Sequence, residues 1–93
     1  MFYLHKLAII IILMNDFDRN SKETINNLKI FGKRIHELRK NNKLTQSELA
    51  EKVGLSTNFI GMVERGERNT SVDKIFKLSR AFNLSLAEFF KTL

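Results

Sequence analysis

The chain has 93 residues, a formal net charge of +6, and neither cysteine nor proline. This length suits one small domain, and the absence of cysteine excludes a disulfide framework and a thiolate metal site. It also fits a reducing compartment, so we expect a cytoplasmic protein. The charge lies on residues 28–93, because the charged side chains before them cancel: Lys6, Arg19 and Lys22 against Asp16, Asp18 and Glu23. A compact basic domain attracts polyanions, nucleic acid first, although many domains of this charge bind nothing acidic.

Residues 1–27 form an N-terminal extension that is apolar over residues 1–14 and polar over residues 15–27. The uncharged stretch from Leu7 to Met14 is far shorter than the ~20 residues that span a bilayer. Three interpretations compete: an element packed on the domain or a partner subunit, a membrane-surface anchor, or an over-extended reading frame. Asp16 and Asp18 argue against the anchor. We favour the third, with Met14 as the natural start and residues 15–27 as a flexible arm or frayed first turn.

From Leu28 onward, apolar residues at helical spacing predict five helices and no strand, so residues 28–93 are expected to form an all-α domain. The first helix spans about residues 28–41 and turns Phe31, Ile35 and Leu38 inward. Its exposed face carries Lys33, Arg34 and Lys40. It is predicted to end at Asn41–Asn42, since asparagine tolerates the left-handed backbone conformation.

The other four helices are marked by polar caps. Capping boxes begin the second helix at Thr45 and the fifth at Ser85. Ser56 begins the third helix, and Ser71, or Thr70 with Asp73, begins the fourth. Leu49, Ala50 and Val53 face inward from the second helix, and Ile60 and Val63 from the third. The fourth helix carries the apolar residues Val72, Ile75, Leu78, Ala81 and Phe82, and the fifth carries Phe89 and Phe90.

Residues 46–65 contain two short helices joined by one tight turn. Ala50 is small, which allows the helices to cross closely, and Gly54 can adopt the positive φ of the turn. Ile60 and Val63 then fix the second helix on the first. This pattern is typical of the helix-turn-helix motif, whose second helix enters the major groove of DNA.

With these features, residues 28–90 resemble the Cro/repressor-type helix-turn-helix family. The resemblance rests on FGKRIHELRKNNKLTQSELAEKVGLSTNFIGMVERGERNTSVDKIFKLSRAFNLSLAEFF. Within it, TQSELAEKVGLS, VERGERN and SLAEFF are similar to small stand-alone regulators, including the controller proteins of restriction–modification systems. The resemblance implies a compact five-helix, lambda-repressor-like domain and a transcriptional regulator that binds double-stranded DNA.

The outward face of the third helix is expected to meet the bases. The resemblance places base reading at Thr57, Asn58 and Met62. Asn58 can pair bidentately with adenine, while Thr57 and Met62 can lie against a thymine methyl group. Gly61 on the same face either lets the helix approach the groove floor or is a neutral, poorly optimised site. We assign Phe59 to the edge of the core, with contact to the sugar-phosphate backbone as the less favoured alternative.

Six residues around the third helix are predicted to contact the DNA backbone: Lys43, Gln46, Ser56, Arg65, Arg68 and Asn69. The resemblance assigns the glutamine to phosphate, and Ser56 lies at a helix N-terminus, where the dipole favours an anion. Capping or solvated roles are the alternative for most of the six. The resemblance also implies a structural ion pair between Arg39 and Glu64 that ties the first helix to the third.

One recognition helix reads few base pairs, so we expect a homodimer on a near-palindromic operator with half-sites about 34–36 Å apart. The candidate dimer interface is Phe89, Phe90 and Leu93, joined by Phe76 and Leu86. One of the two adjacent phenylalanines is expected to close the domain's own core instead. Repression is the default mode of action, and activation, as in controller proteins, stays open.

An enzyme is not expected, because His5 and His36 are isolated and no nucleophile–base pair, metal-ligand spacing or phosphate-binding glycine loop occurs. His36 is interpreted as solvated or close to phosphate. We predict no cofactor, no metal, no small-molecule ligand and no membrane association. The alternative function is a protein-interaction module, either an antitoxin or an adaptor. Only residues 1–27 could then supply the partner-binding segment.

Overall fold

The computed structural model describes residues 22–91, and these residues form five α-helices and no strand. The helices are α1 (Lys22–Asn41), α2 (Gln46–Val53), α3 (Thr57–Glu64), α4 (Val72–Ala81) and α5 (Leu86–Phe90). The predicted all-α class is confirmed. None of the helices in this part of the chain is long and apolar enough to cross a membrane. The predictions for residues 1–21, including a start at Met14, and for Leu93 lie outside the described residues.

The first helix begins at Lys22, earlier than the predicted residue 28. Its buried face continues through Thr24 and Asn27 before Leu28 and Phe31. These two polar residues keep the helical spacing of the buried face but give no hydrophobic signal. The expectation of a flexible arm or frayed turn was therefore wrong over residues 22–27.

The predicted N-terminal caps are confirmed. In the capping box of α2, the Thr45 hydroxyl accepts a hydrogen bond from the Glu48 amide at 3.0 Å, and the Glu48 carboxylate accepts from the Thr45 amide at 2.8 Å. Ser85 and Glu88 form the same box at α5. Ser56 caps α3 and Ser71, rather than Thr70, caps α4. Each cap satisfies amides that the first helical turn leaves unpaired.

The turn after α1 differs from its prediction in one detail. The residue with left-handed backbone is Lys43, with φ 57°, and not Asn41 or Asn42. The side-chain amide of Asn42 instead donates to the Leu38 carbonyl at 2.7 Å. Asn42 thus caps the helix through its side chain, and the chain reverses one residue later. The turn after α2 is as predicted, with Gly54 at φ 69°.

The C-terminal helix packs against α1 through three aromatic rings. Phe89 and Phe90 are 0% and 2% exposed, and their ring centroids lie 5.9 and 6.2 Å from that of Phe31. Both phenylalanines therefore belong to the core of the monomer, although one was expected at a dimer interface. Their assignment to that interface is corrected, because neither ring is accessible to a second chain.

Arg34 also joins α1 to α5. Its guanidinium donates to the carbonyl oxygens of Phe89 at 2.8 Å and Glu88 at 3.0 Å. These are carbonyls of the last helical turn, which lack partners within their own helix. Arg34 thus caps the C-terminus of α5 and does not belong to the exposed basic face predicted for α1.

Helix α1 crosses the end of α3 at a glycine. A methyl group on Gly32 would collide with the carbonyl oxygen of Val63 and lie 2.7 Å from that of Glu64. The two helices can approach this closely only because Gly32 has no side chain. The crossing fixes the position of α3, the helix predicted to read DNA.

We expect Gly32→Ala to destabilise the fold by at least the ~1–3 kcal/mol that overpacking costs, because backbone carbonyls cannot rotate away from the added methyl group. Urea unfolding followed by circular dichroism measures this loss. Lys33→Ala, at the exposed neighbouring position, is the control and should change stability little. Equal stability of the two variants would contradict the close crossing.

Candidate nucleic-acid interface

Helices α2 and α3 form the predicted helix-turn-helix. Ala50 of α2 is 2% exposed, and its carbonyl accepts a hydrogen bond from the Leu55 amide in the turn at 2.9 Å. Ile60 and Val63 are 0% and 1% exposed. These contacts bury one side of α3 completely, so the opposite side faces away from the domain.

The three residues predicted to read bases lie together on this outward side. Thr57 and Asn58 are exposed, and Met62 is half-buried. The side-chain amide of Asn58 lies 3.6 Å from the sulfur of Met62, one helical turn later. The structure thus presents a short strip with a hydroxyl, an amide and a thioether, which suits contact with the edges of base pairs.

The carboxylate of Glu64, at the end of α3, connects three helices. Its side chain is 4% exposed. Arg39 of α1 donates to it through Nε at 2.6 Å and Nη2 at 3.1 Å. Gln46 of α2 donates through Nε2 at 3.1 Å. The expected Arg39–Glu64 pair is therefore present, and it is part of a larger network that also holds the first residue of α2.

His36 is a member of this network that the sequence did not predict. Its ring is half exposed, but Nδ1 lies 2.9 Å from the Glu64 carboxylate. Because a carboxylate only accepts hydrogen bonds, Nδ1 donates in this contact. His36 precedes Arg39 by one helical turn, so the two side chains are neighbours on α1. The three-residue spacing of His36 and Arg39 on one helix was the feature of the sequence that could have predicted this contact.

Burial raises the pKa of Glu64, but hydrogen bonds from Arg39, His36 and Gln46 together outweigh it and hold the pKa below its ordinary value. The carboxylate is thus ionised at neutral pH. A carboxyl group with a lowered folded-state pKa stabilises the fold above its unfolded pKa, and this stabilisation disappears as the pH falls through the folded value.

Two of the residues predicted to contact the DNA backbone lie close to α3 at Gly61. Gln46 and Arg65 lie over Gly61, within 3.5 Å and 3.1 Å of where a methyl group on that residue would stand. Arg65 is exposed and pairs with Glu67 at 2.9 and 3.1 Å. That pairing raises the pKa of Arg65 and lowers the pKa of Glu67, so both groups keep their charge.

The other four residues predicted to contact the DNA backbone differ in whether their side chains form hydrogen bonds within the domain. The Ser56 hydroxyl caps α3, accepting from the Phe59 amide at 3.0 Å, and the Asn69 side chain accepts from the Thr70 amide at 2.7 Å. Lys43 and Arg68 are exposed. Ser56 and Asn69 therefore have local structural roles as well, which was the alternative considered for this group.

Phe59 packs against the edge of the core and is half-buried. Two cations lie over its ring: Nζ of Lys74 at 4.6 Å from the centroid and the guanidinium carbon of Arg68 at 5.8 Å. Such cation–π contacts restrain flexible basic side chains. Lys74, which the sequence analysis did not single out, thus adds a positive charge beside α3.

We expect the stability of the fold to fall on acidification below about pH 4.5, the ordinary value for this carboxyl group. Glu64→Gln should lower the free energy of unfolding at pH 7, by up to about 3–5 kcal/mol, because the buried Arg39 guanidinium would lose its counter-charge. It should also lose less stability on acidification than the unmodified protein. Unfolding curves between pH 7 and pH 2.5 measure both effects.

Glu51→Gln, at an exposed position of α2, is the matched control and should follow the unmodified protein. A Glu64→Gln variant with the full acid-dependent loss of stability would show that the pH dependence has another source.

Comparison with known proteins gives a consistent assignment. Residues 35–89, more than half of the chain, match the helix-turn-helix family model. The crystal structure of the restriction-modification controller protein C.AhdI from Aeromonas hydrophila is similar with a TM-score of 0.66 and 41% identity, over 69% of this chain and 97% of that one. A hypothetical transcription factor from Neisseria, 20% identical with a TM-score of 0.64, shares the fold.

Two further proteins are similar to this chain in sequence. Control protein C.SmaI of Serratia marcescens is 38% identical over 58 residues, which are 62% of this chain and 69% of that protein. An uncharacterised HTH-type transcriptional regulator of Archaeoglobus fulgidus is 39% identical over 57 residues, 61% of this chain and 81% of that protein. The chain belongs to the helix-turn-helix family and is a DNA-binding regulator.

Proposed function

We propose that this protein regulates transcription as a homodimer that recognises a near-palindromic operator, with one α3 helix of each subunit in the major groove. The observation that carries this proposal is the strip of Thr57, Asn58 and Met62 on the outward side of a helix whose other side is completely buried; Thr57 and Asn58 are exposed and Met62 is half-buried. A rigidly placed helix with a polar strip can read base edges, because direct readout requires side chains held at fixed positions.

In this arrangement, Asn58 pairs with an adenine, and Thr57 and Met62 contact a thymine methyl group. Lys43, Gln46, Ser56, Arg65, Arg68 and Asn69 contact phosphates on either side of the groove. Base contacts give the sequence preference, while the phosphate contacts set register and supply most of the salt-dependent affinity.

We place the dimer interface on α4 and α5, although not at the two phenylalanines of α5. Phe76 of α4 is 40% exposed. Among the described residues, Phe76 and Ile25 are the two large apolar side chains that are exposed. It lines a shallow groove with Leu84 and Leu86, which are partly buried against the core. A second copy that covered this groove would remove exposed apolar surface from water, the usual driving force for association.

Repression is the default mode of action, because a dimer bound across a promoter blocks polymerase without a further activity. The chain is similar to the controller protein C.AhdI and the control protein C.SmaI. The proposal therefore includes a role in restriction–modification control, with activation as well as repression.

Selection of bound sequences from random duplex DNA tests the proposal directly. We expect enrichment of a near-palindrome with half-site centres one helical turn apart, and an affinity that decreases steeply with salt. Binding without sequence preference would contradict operator recognition and favour the alternative, an antitoxin or adaptor.

Asn58→Ala is expected to relax the preference at one position per half-site, at a cost of ~1–3 kcal/mol for the preferred base. Arg68→Ala should weaken all duplexes alike and leave the preferred sequence unchanged, because a phosphate contact carries no base information. Titration of each variant against the selected operator and its single-base variants makes the comparison. The reverse pattern would show that the groove assignment is wrong.

Phe76→Gln is expected to weaken self-association and thereby operator binding, while circular dichroism shows an intact fold. Ile25→Gln is the matched control, since Ile25 is similarly exposed, at 38% against 40%, but lies at the start of α1. Sedimentation velocity measures the oligomeric state. A Phe76→Gln variant as dimeric as the unmodified protein would place the interface elsewhere.

A further inference from the structure

One oxygen of the Glu64 carboxylate has more donors around it than it can accept. Oε1 lies 2.9 Å from Nδ1 of His36, 3.1 Å from Nε2 of Gln46 and 3.1 Å from Nη2 of Arg39. The other oxygen, Oε2, accepts from Nε of Arg39 at 2.6 Å. A carboxylate oxygen has two lone pairs, so the three donors at Oε1 compete for two places.

The three donors differ in how easily they can leave. The Arg39 side chain is buried, and its Nη1 also donates to the Leu44 carbonyl at 2.8 Å, which fixes the guanidinium at a second point. The His36 side chain is half exposed and Gln46 is half-buried, so both can move. The competition at Oε1 is therefore between an imidazole from α1 and an amide from α2.

Protonation changes what the imidazole can do. A neutral ring carries one N–H, on either nitrogen, whereas a charged ring carries both. Nδ1 of His36 lies 3.2 Å from Nη2 of Arg39 as well as close to Glu64. A neutral ring can thus accept from Arg39 and leave the carboxylate to the amide, but a charged ring can only donate. Histidine makes this change between about pH 5 and 8.

The charges around the His36 ring come from two helices. Glu64 of α3 supplies the negative charge that the ring contacts, and Arg39 of α1 supplies a positive one. Lys33 and Lys40 lie about one helical turn before and after His36 on α1, and both are exposed. The α2 side chain that shares the carboxylate is an uncharged amide. A charged ring is therefore attracted to Glu64 more strongly than the amide is.

We propose that His36 and Gln46 compete for one oxygen of Glu64, so that protonation of His36 releases the Gln46 amide toward a DNA phosphate and DNA binding tightens on mild acidification. His36 is then a positioning residue that acts through Glu64. The added positive charge, held at the same carboxylate oxygen, also attracts phosphate, so both effects have the same sign. The inference rests on the proposed function, since it regulates one of its backbone contacts.

The competition is tested first in the protein without DNA. In proton–nitrogen correlation NMR spectra, the side-chain amide protons of Gln46 are assigned by their loss in Gln46→Ala. They should move upfield between about pH 8 and pH 6, with the same midpoint as the ring protons of His36, because they leave a carboxylate acceptor. In His36→Gln they should not move, since the pKa of Glu64 is held below its ordinary value and the carboxylate stays ionised.

The second measurement is the affinity for the selected operator and for an unrelated duplex at these two pH values and constant salt. The unmodified protein should bind both duplexes more tightly at the lower pH, by about twofold to fivefold for each bound subunit, the effect of one exposed ion pair. His36→Gln should show no such gain, although circular dichroism shows an intact fold. His5→Gln, which removes the other histidine of the chain, is the matched control and should keep the gain.

Gln46 signals that do not follow the titration of the His36 ring would overturn the competition. A pH-independent affinity of the unmodified protein, or a gain that persists in His36→Gln, would overturn its link to DNA binding. An affinity that His36→Gln lowers equally at both pH values would show a purely structural role of the ring. If the Gln46 signals follow the ring but the protein binds DNA without sequence preference, the competition is supported and operator recognition alone fails.

Discussion

The orientation of the helix-turn-helix depends on one buried charge. Glu64 is almost completely shielded from water, and an ionised carboxylate at that depth is costly unless donors surround it. Those donors come from two other helices, Arg39 of α1 and Gln46 of α2. A rotation or shift of α3 would separate the charge from its partners. We therefore interpret the network as specifying one arrangement of three helices rather than as a large source of net stability.

The recognition helix takes its shape from its neighbours. Helix α3 has eight residues, and an isolated helix of that length is unstable in water. The cap at Ser56, the buried Ile60 and Val63, and the close crossing at Gly32 hold it together. The residues that decide how Asn58 meets a base are thus mostly residues that never touch DNA. Binding then requires little ordering of the helix, which reduces its entropic cost.

Local features of this fold could be predicted from the sequence, and features formed between distant segments could not. The cap at Thr45 and the shared face of Asn58 and Met62 follow from spacings of three or four residues. The contact of Arg34 with the Phe89 carbonyl joins residues 55 positions apart, and no periodicity in the sequence predicts it. The convergence of two side chains over Gly61 likewise depends on where α2 lies beside α3. The polar start of α1 was missed because burial there does not follow hydrophobicity.

The attachment of α5 to α1 has a consequence for synthesis of the chain. Helix α5 has only five residues, and its rings and carbonyls find their partners on α1, which is synthesised before the other four described helices. Phe31 therefore lacks its two aromatic neighbours until Phe89 and Phe90 have been synthesised, because the chain is made from its N-terminal end. A chain that lacks residues 89 and 90 would therefore carry the helix-turn-helix on a core without two of its aromatic rings.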